Sequence, residues 1–203
     1  MAITADQVKI LRDQTGAGFM ECKAALTEAN GSIDEATTIL RKRGLARAAK
    51  KAGRSTSQGV VGSYIHMGGK VGVLVEVNCE TDFVARTDDF QALVKDIAMH
   101  IAAADPRFVR REDIPAAEID KEREIYRAQF QSSGKPAPVV EKIVDGKIDS
   151  YYAQVALLEQ PFIRDQAMSI SQLLAEKTAK LGENITVSRF ARYRVGEGTA
   201  AGE

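Results

Sequence analysis

The stretch that decides the fold class is residues 58–77, which read QGVVGSYIHMGGKVGVLVEV. Two runs rich in valine, isoleucine and tyrosine flank the pair Gly68-Gly69. β-Branched and aromatic residues favour strands, and both glycines can adopt the positive φ angles that a tight hairpin turn requires. The stretch therefore predicts a β-hairpin, and its second strand is apolar enough to lie centrally in a sheet.

Helical patterns precede this hairpin. The first fifty residues predict three short helices, of which the first is capped by Thr4 with Gln7 in a capping box and the second spans 19–29. Apolar residues recur at helical spacing along these segments. We expect Phe19 and Leu26 to lie in the core of the three helices.

Helical patterns also follow the hairpin, and a strand pattern comes near the end of the chain. Helices are predicted over 88–104, from 115 to about 131, over 139–158 with an interruption at Asp145-Gly146, and up to a stop at Gly182. A break is expected at 132–136. Residues 185–195 have strand character and can add a third strand to the hairpin.

These patterns together predict an α+β fold. Residues 1–54 are expected to form a three-helix module, similar in shape to a ubiquitin-associated domain, that docks a partner and ends in a basic linker. Residues 55–203 are expected to form a core domain. In this core a small antiparallel sheet, made of the hairpin and a C-terminal strand, is covered by helices.

Composition argues against several classes of protein. Lys plus Arg and Asp plus Glu both number 28, whereas a protein that binds nucleic acid over its whole surface is normally basic. The apolar runs are too short to span a bilayer, and the amino terminus lacks a signal-peptide pattern. Cys22 and Cys79 fit neither a disulfide framework nor a zinc site. We therefore expect a protein of the reducing cytoplasm without direct contact to nucleic acid or membrane.

The sequence contains no recognisable catalytic set. Gly69-Lys70 is followed by valine, so no phosphate-binding loop is present. The two histidines, His66 and His100, have no carboxylate or cysteine at metal-ligand spacing. We interpret His66 as a polar strand residue beside the turn and His100 as a helix residue. We expect neither covalent catalysis nor a bound cofactor or metal.

A basic stretch follows the third helix. Seven positive residues and no acidic one lie between positions 41 and 54. This stretch could bind an anionic partner. We favour the simpler interpretation, in which it is the polar end of a helix whose cations match the helix dipole and which runs into an exposed linker.

Polar residues and an aromatic follow the second strand of the hairpin, in the stretch NCETDFVAR at 78–86. Such a stretch can present an aromatic and a carboxylate at a loop tip. On the residues alone we would favour another interpretation, in which Phe83 and Val84 fold into the core while Thr81 and Asp82 cap the next helix.

Two stretches resemble the signatures of the elongation factor Ts family. Residues 11–26 read LRDQTGAGFMECKAAL and resemble the first signature, and residues 76–86, EVNCETDFVAR, resemble the second. Further similarity lies at 158–165 and 187–198, so the resemblance covers nearly the whole chain in order. The chain is shorter than the long members and lacks their second core half and coiled-coil arm. This implies that a homodimer replaces the missing half, as in other short members.

The resemblance implies a guanine-nucleotide exchange factor that acts in translation elongation. It implies binding to elongation factor Tu in the GDP-bound and nucleotide-free states. Asp82 and Phe83 would disturb the magnesium and phosphate site of that partner, Phe83 as a wedge and Asp82 through its charge, so that GDP leaves and GTP can bind. Thr81 and Val84 would shape the loop. The resemblance therefore reverses our preference for a buried Phe83.

The resemblance also implies a role for the turn between the first two helices. The residues assigned to partner docking are Arg12, Thr15, Gly16, Gly18 and Met20. Packing of three small helices explains each of them equally well when it is taken separately.

Two other classes of function are weighed against exchange. A module that binds RNA or the ribosome through the basic stretch would show steeply salt-dependent affinity, but the neutral overall charge argues against it. An adaptor of the ubiquitin-associated type would explain the three helices and would leave the core and the stretch 81–84 unexplained.

Overall fold

The computed structural model describes residues 3–130 and 136–197 of the chain. The elements follow in the order α1 (Ala5–Thr15), α2 (Phe19–Glu28), α3 (Ile33–Lys51), β1 (Gln58–Ile65), β2 (Val71–Cys79), α4 (Asp82–Ala85), α5 (Asp88–Ala104), α6 (Ala116–Phe130), α7 (Ala137–Val155), β3 (Pro161–Phe162), β4 (Asp165–Ser169), α8 (Ile170–Leu181) and β5 (Thr186–Arg194). Short 3₁₀ turns lie at Arg111–Asp113 and Leu157–Glu159. The predicted α+β class is confirmed.

The three predicted amino-terminal helices are present. Thr4 and Gln7 form the predicted capping box, in which the Gln7 backbone N–H donates to Thr4 Oγ1 and the Thr4 backbone N–H donates to Gln7 Oε1. Gly16 ends α1 with a φ of 66°, a left-handed conformation that glycine adopts without strain. The helices pack on a cluster of small and medium side chains: Val8, Leu11, Cys22, Ala25, Leu26, Ala29, Ala36 and Leu40.

One of the two core predictions for these helices is correct. Leu26 is fully buried, as predicted, but Phe19 is 51% exposed. Phe19 is the first residue of α2. Because a helical side chain leans toward the amino terminus of its helix, a first-turn residue extends past the part that its neighbours cover. The spacing of Phe19 places it on the apolar face of the helix, but its side chain is exposed because it lies at the end of that helix.

The hairpin and the third strand are confirmed. β1, β2 and β5 form an antiparallel sheet with β2 in the centre. Gly68 and Gly69 have φ angles of 86° and 67°, as a tight turn with two left-handed residues requires. Next to this turn the His66 backbone N–H donates to the Val71 carbonyl at 2.9 Å. Two strands, β3 and β4, form a second antiparallel sheet that the sequence did not predict.

The helical predictions after the hairpin hold with one correction. α5 and the end of α8 lie where they were predicted. The predicted interruption at Asp145-Gly146 is wrong, since α7 runs without a break from Ala137 to Val155. A single glycine costs a helix only about 1 kcal/mol, and the buried side chains of Val144 and Ile148 hold this segment on its neighbours. Most of the predicted break at 132–136 lies outside the described residues.

The chain groups into two compact units, each made of separate segments. The first unit contains the chain up to Gly59 together with Asn78–Gln91 and Leu174–Thr186. The second unit contains Val60–Val77, Ala92–Leu173 and the chain from Val187 onward. Such a grouping does not test where independently folding domains begin, so the boundary between 1–54 and 55–203 stays a prediction. Within the described part of the chain, every helix is too short or too polar to cross a membrane.

Candidate functional site

The stretch 81–84, called loop 81–84 below, lies in the first unit and forms most of the single-turn helix α4. Thr81 is its N-cap, and its Oγ1 accepts a hydrogen bond from the Val84 backbone N–H at 3.4 Å. Phe83 is 79% exposed, whereas Val84 is half-buried and Ala85 is buried. The interpretation that placed Phe83 in the core is therefore wrong. The capping function of Thr81, which that interpretation also included, is correct.

Asp82 lies at the surface beside Phe83. Its Oδ2 accepts a hydrogen bond from a guanidinium nitrogen of Arg86 at 2.8 Å, and the side chains of the two residues are 47% and 77% exposed. Exposed pairs of this kind contribute about 0–1 kcal/mol to stability. Loop 81–84 therefore presents a carboxylate and an aromatic ring next to each other, and only a weak pair restrains the carboxylate.

The base of loop 81–84 is held by a side chain from a distant part of the chain. Glu183 accepts hydrogen bonds from the backbone N–H groups of Glu80 and Thr81, at 3.1 and 2.9 Å, and from Thr81 Oγ1 at 2.6 Å. In return, Glu80 Oε1 accepts the Asn184 backbone N–H at 2.7 Å. Glu183 was not predicted as a site residue, because local sequence around Gly182 indicates only the end of a helix.

The carboxyl side of loop 81–84 is also anchored within the first unit. Thr87 Oγ1 donates to the Val84 carbonyl at 2.8 Å and accepts from the Phe90 backbone N–H at 3.3 Å. Gln91 Nε2 donates to the Ala85 carbonyl at 2.7 Å. Hydrogen bonds therefore hold loop 81–84 on both sides, and the Phe83 side chain between them extends into solvent.

Cys79 is buried at the end of β2, two residues before Thr81. Its Sγ donates to the Thr81 carbonyl at 3.1 Å. Burial raises the pKa of the Cys79 thiol, and the nearby Glu183 carboxylate raises it further. Cys79 is therefore a neutral packing residue that supports the same turn.

The predicted docking residues divide into two groups. Arg12 and Met20 are exposed, and the exposed fraction of Met20 is 71%. Thr15, Gly16 and Gly18 shape the turn between α1 and α2. Thr15 Oγ1 donates to the Leu11 carbonyl and accepts from the Ala17 backbone N–H, while Gly18 is the N-cap of α2.

Comparison with known proteins agrees with the two signature-like stretches. The family model described as "Elongation factor TS" matches residues 4–197. A curated elongation factor Ts from Koribacter versatilis is 62% identical over 97% of this chain and 90% of its own length. Elongation factor Ts from Geobacter sulfurreducens is 59% identical over 98% and 92%, and that from Fervidobacterium nodosum is 59% identical over 97% and 100%.

The chain belongs to the elongation factor Ts family. Members of this family act in protein biosynthesis as nucleotide exchange factors for elongation factor Tu, without covalent catalysis. The resemblance seen in residues 11–26 and 76–86 is thereby confirmed. The high coverage of both chains shows that these curated relatives are similar in length to this protein.

The basic stretch of this elongation factor Ts family member forms the carboxyl half of α3, as the simpler interpretation predicted. Four of its seven cations contact acceptors within the first unit: Arg43 pairs with Glu28, Arg47 with Glu21, Arg54 with Glu80, and Lys51 donates to the Gly182 carbonyl. Four of the seven cations of the stretch are therefore engaged within the first unit.

The two histidines have structural surroundings. His66 lies at the turn, and its Nδ1 is 3.1 Å from Tyr64 Oη. His100 is fully buried in the second unit, where its Nε2 bonds to Gln160 Oε1 at 2.9 Å and its Nδ1 accepts the Ile163 backbone N–H at 3.3 Å. Because Nδ1 accepts, Nε2 carries the proton of a neutral ring. Burial lowers the pKa of His100.

Proposed function

We propose that this chain binds elongation factor Tu, with GDP bound or without nucleotide, and promotes GDP release so that GTP can bind. The observation that carries the proposal is the position of Phe83, an aromatic side chain 79% exposed on a capped and anchored turn. Aromatic side chains are enriched in protein interfaces, and a ring that is exposed on a turn held by hydrogen bonds on both sides is suited to contact another molecule.

In the proposed mechanism loop 81–84 acts on the magnesium site of the partner. Magnesium demands near-ideal octahedral geometry, so small movements of the groups around it weaken the hold on the nucleotide. The Phe83 ring wedges these groups apart, and the Asp82 carboxylate disturbs the polar network around the ion. Thr81 and Val84 keep the loop in shape.

Thermodynamic linkage makes this action an exchange. If the factor weakens nucleotide binding, the nucleotide weakens factor binding by the same ratio. A thousandfold faster release requires a dissociation barrier lower by about 4 kcal/mol. Loss of one ion site together with a displaced phosphate loop can supply an energy of this size. Rebinding of GTP then displaces the factor.

We assign initial binding to the turn between α1 and α2. Arg12 and Met20 offer a cation and an apolar side chain at the surface, and Phe19 adds a second exposed apolar group beside Met20. Thr15, Gly16 and Gly18 contribute by shaping the turn. This division predicts that Arg12 affects the affinity for the partner and that Phe83 affects the rate of nucleotide release.

The deciding experiment measures release of a fluorescent GDP from purified elongation factor Tu by stopped flow, at increasing concentrations of this protein. We expect Phe83→Ala to keep the fold and lose most of the acceleration. We expect Arg12→Ala to raise the concentration needed and to leave the saturating rate nearly unchanged. Met67→Ala is the control, since Met67 is an apolar residue at the hairpin turn of the second unit that is 89% exposed.

Each other outcome contradicts a defined part of the proposal. Acceleration that survives Phe83→Ala would keep the exchange function and reject the wedge. No acceleration at any concentration of the parent protein would reject the exchange function and favour the adaptor or RNA-binding alternatives. Equal affinities of the parent and of Arg12→Ala would show that Arg12 has only a structural role.

We also propose that the protein forms a homodimer through the outer face of its three-stranded sheet. Four apolar side chains are at least half exposed there: Val61, Ile65, Leu74 and Tyr193. Arg189 and Glu76, which lie on these strands, form an ion pair in which Arg189 Nε is 2.8 Å from Glu76 Oε2, so their charges offset each other. A second copy, which brings the same neutral apolar face, is therefore a suitable cover. Sedimentation should give a dimer, and Leu74→Arg should give a monomer.

The remaining parts of the proposal follow from the family. Translation takes place in the cytoplasm, where we place the protein. We propose no direct contact with nucleic acid, in agreement with the zero net charge and with the internal contacts of four cations of the basic stretch.

A further inference from the structure

We infer that Glu183 is the positioning residue of loop 81–84, and that the turn 182–184 joins this loop to the carboxyl end of α3. The inference rests on the proposed exchange function for its consequence, whereas its structural part can be tested in the isolated protein. All of the residues involved belong to the first compact unit.

Glu183 uses both carboxylate oxygens on the base of loop 81–84. Oε2 accepts the backbone N–H groups of Glu80 and Thr81, and Oε1 accepts the Thr81 hydroxyl. Hydrogen bonds to a charged acceptor are roughly twice as strong as neutral ones. Three of them on two consecutive residues fix the direction in which the chain leaves β2.

The hydroxyl of Thr81 transmits this restraint into the loop. A threonine hydroxyl has one hydrogen to donate and two lone pairs that accept. Its hydrogen points to Glu183 Oε1 at 2.6 Å, so a lone pair is directed to the Val84 backbone N–H at 3.4 Å. Glu183 therefore orients the cap of α4, the turn that carries Phe83.

The same turn holds the end of α3. Asn184 is buried, and its side-chain amide donates to the carbonyls of Ala52 and Arg54 at 3.3 and 2.9 Å. Its backbone N–H donates to Glu80 Oε1 at 2.7 Å. The Gly182 carbonyl accepts a hydrogen bond from Lys51 Nζ. Taken together, residues 182–184 contact the base of loop 81–84 at Glu80 and Thr81, and the end of α3 together with the residues just after it.

Backbone conformation explains why the turn can reach both partners. Gly182 ends α8 with a φ of 80°, a left-handed conformation that reverses the chain and that a residue with a side chain rarely adopts. The reversal directs Glu183 and Asn184 back toward the end of β2. A charge that is partly removed from water needs compensating donors, and Glu183 has three of them.

The restraint matters because α4 cannot position Phe83 by itself. A helix of four residues is too short to be stable in isolation. Without the Glu183 carboxylate the Thr81 hydroxyl is free to rotate, and the cap of α4 weakens. Phe83 would then have to be ordered during insertion into the partner, which adds an entropic cost to the release step. Binding through the turn between α1 and α2 does not need this order.

The test compares Glu183→Ala, Glu183→Gln and the control Glu176→Ala, which removes an exposed carboxylate from α8. In stopped-flow release of fluorescent GDP, we expect Glu183→Ala to lower the saturating rate at least about tenfold and to leave the half-saturating concentration within about threefold. We expect Glu183→Gln to stay within about threefold of the parent, because its amide oxygen accepts both backbone N–H groups and its NH₂ donates to Thr81 Oγ1.

A second readout needs no partner protein. Amide hydrogen exchange of Val84 should be faster in Glu183→Ala than in the parent and unchanged in Glu176→Ala, since only the first variant weakens the cap. Thr81→Val should reproduce both effects. In the double variant Thr81→Val/Glu183→Ala the effect on Val84 exchange should be smaller than the two single effects combined, because either substitution alone already breaks the hydrogen bond between Thr81 and Glu183.

Several results would overturn the inference. They are an unchanged saturating rate in folded Glu183→Ala, an equal loss in Glu183→Gln, and unchanged Val84 exchange in Glu183→Ala. If Glu183→Ala does not fold, Thr81→Val with normal Val84 exchange also overturns it. A parent protein that fails to accelerate release, but whose Val84 exchange depends on Glu183, would reject the exchange function and keep the positioning.

Discussion

The two compact units differ in the contacts that stabilise the interior of each unit. In the first unit, the three amino-terminal helices pack on mostly small side chains, and the segments 78–91 and 174–186 are joined by polar contacts such as those of Glu183 and Asn184. In the second unit, large aliphatic residues such as Ile97, Ile101, Ile148 and Leu157 are fully buried. The residues proposed for exchange all lie in the first unit, where hydrogen bonds determine the positions of the loops.

Within the first unit, the segment Asn78–Gln91 contains one phenylalanine at the surface and one in the interior. Phe83 is 79% exposed and Phe90 is fully buried, although they are only seven residues apart. Thr87 lies between them and contacts both sides, since its hydroxyl donates to the Val84 carbonyl and accepts from the Phe90 backbone N–H. One phenylalanine contributes to stability, and the other is available for a partner.

The largest effect on stability is expected from Leu26→Ala in the first unit. Leu26 is fully buried among small neighbours, so the free energy of unfolding should fall by about 2–5 kcal/mol. Urea denaturation measures it. The control Met20→Ala removes an exposed side chain from the same helix and should change stability by less than about 0.5 kcal/mol. A loss below about 1 kcal/mol in Leu26→Ala would contradict the assigned core.

A smaller effect on stability is expected when either of two glycines in the second unit is replaced by alanine. One replacement should destabilise the protein and the other should stabilise it. A Cβ at Gly62 would lie 2.2 Å from Val94 Cγ1, so Gly62→Ala should destabilise by about 1–3 kcal/mol. Gly146 lies in α7, where an added Cβ meets no atom within 4 Å. Gly146→Ala should therefore stabilise by up to about 1 kcal/mol. Thermal unfolding of both variants checks this, and shifts of the same sign would contradict the packing described for the second unit.

The smallest effect is expected in the pH dependence of stability, through His100 in the second unit. Burial lowers its pKa in the folded protein, partly opposed by the hydrogen bond with Gln160. The unfolded chain then binds a proton that the folded chain does not. The free energy of unfolding should therefore fall as pH decreases below about 6.5, by at most about 1.4 kcal/mol per pH unit.

Urea denaturation between pH 7.5 and 5.5 measures this dependence. His100→Gln should reduce the slope of stability against pH, whatever the overall stability of the variant. Equal slopes for the parent and for His100→Gln would show that His100 does not cause the pH dependence.

Local patterns in the sequence predicted most of the fold. Gly68-Gly69 predicted the hairpin turn, strand-forming residues predicted β5, and helical spacing predicted the bounds of α5. The failures lie where local pattern is weak. β3 has two residues, too few for any period, and the glycine at 146 indicated an interruption that the packing of α7 overrides.

The candidate site was predictable only in part. Phe83 and Asp82 were found through the resemblance of residues 76–86 to a family signature, and the residues alone favoured a buried Phe83. Glu183 was missed because its bonds to Thr81 span 102 positions in the chain. A short pattern carries no information on a partner at that distance.

The sequence by itself determined the α+β fold class, the hairpin, the order of the helices and the family to which the chain belongs. These properties depend on local conformational preferences and on residues that stand together in the chain. Only the tertiary structure decided that Phe83 is exposed while Phe90 is buried, and that Glu183 holds the base of the loop. Burial and long-range hydrogen bonds exist only after distant segments have packed together, since which face of a turn is covered depends on its neighbours in space.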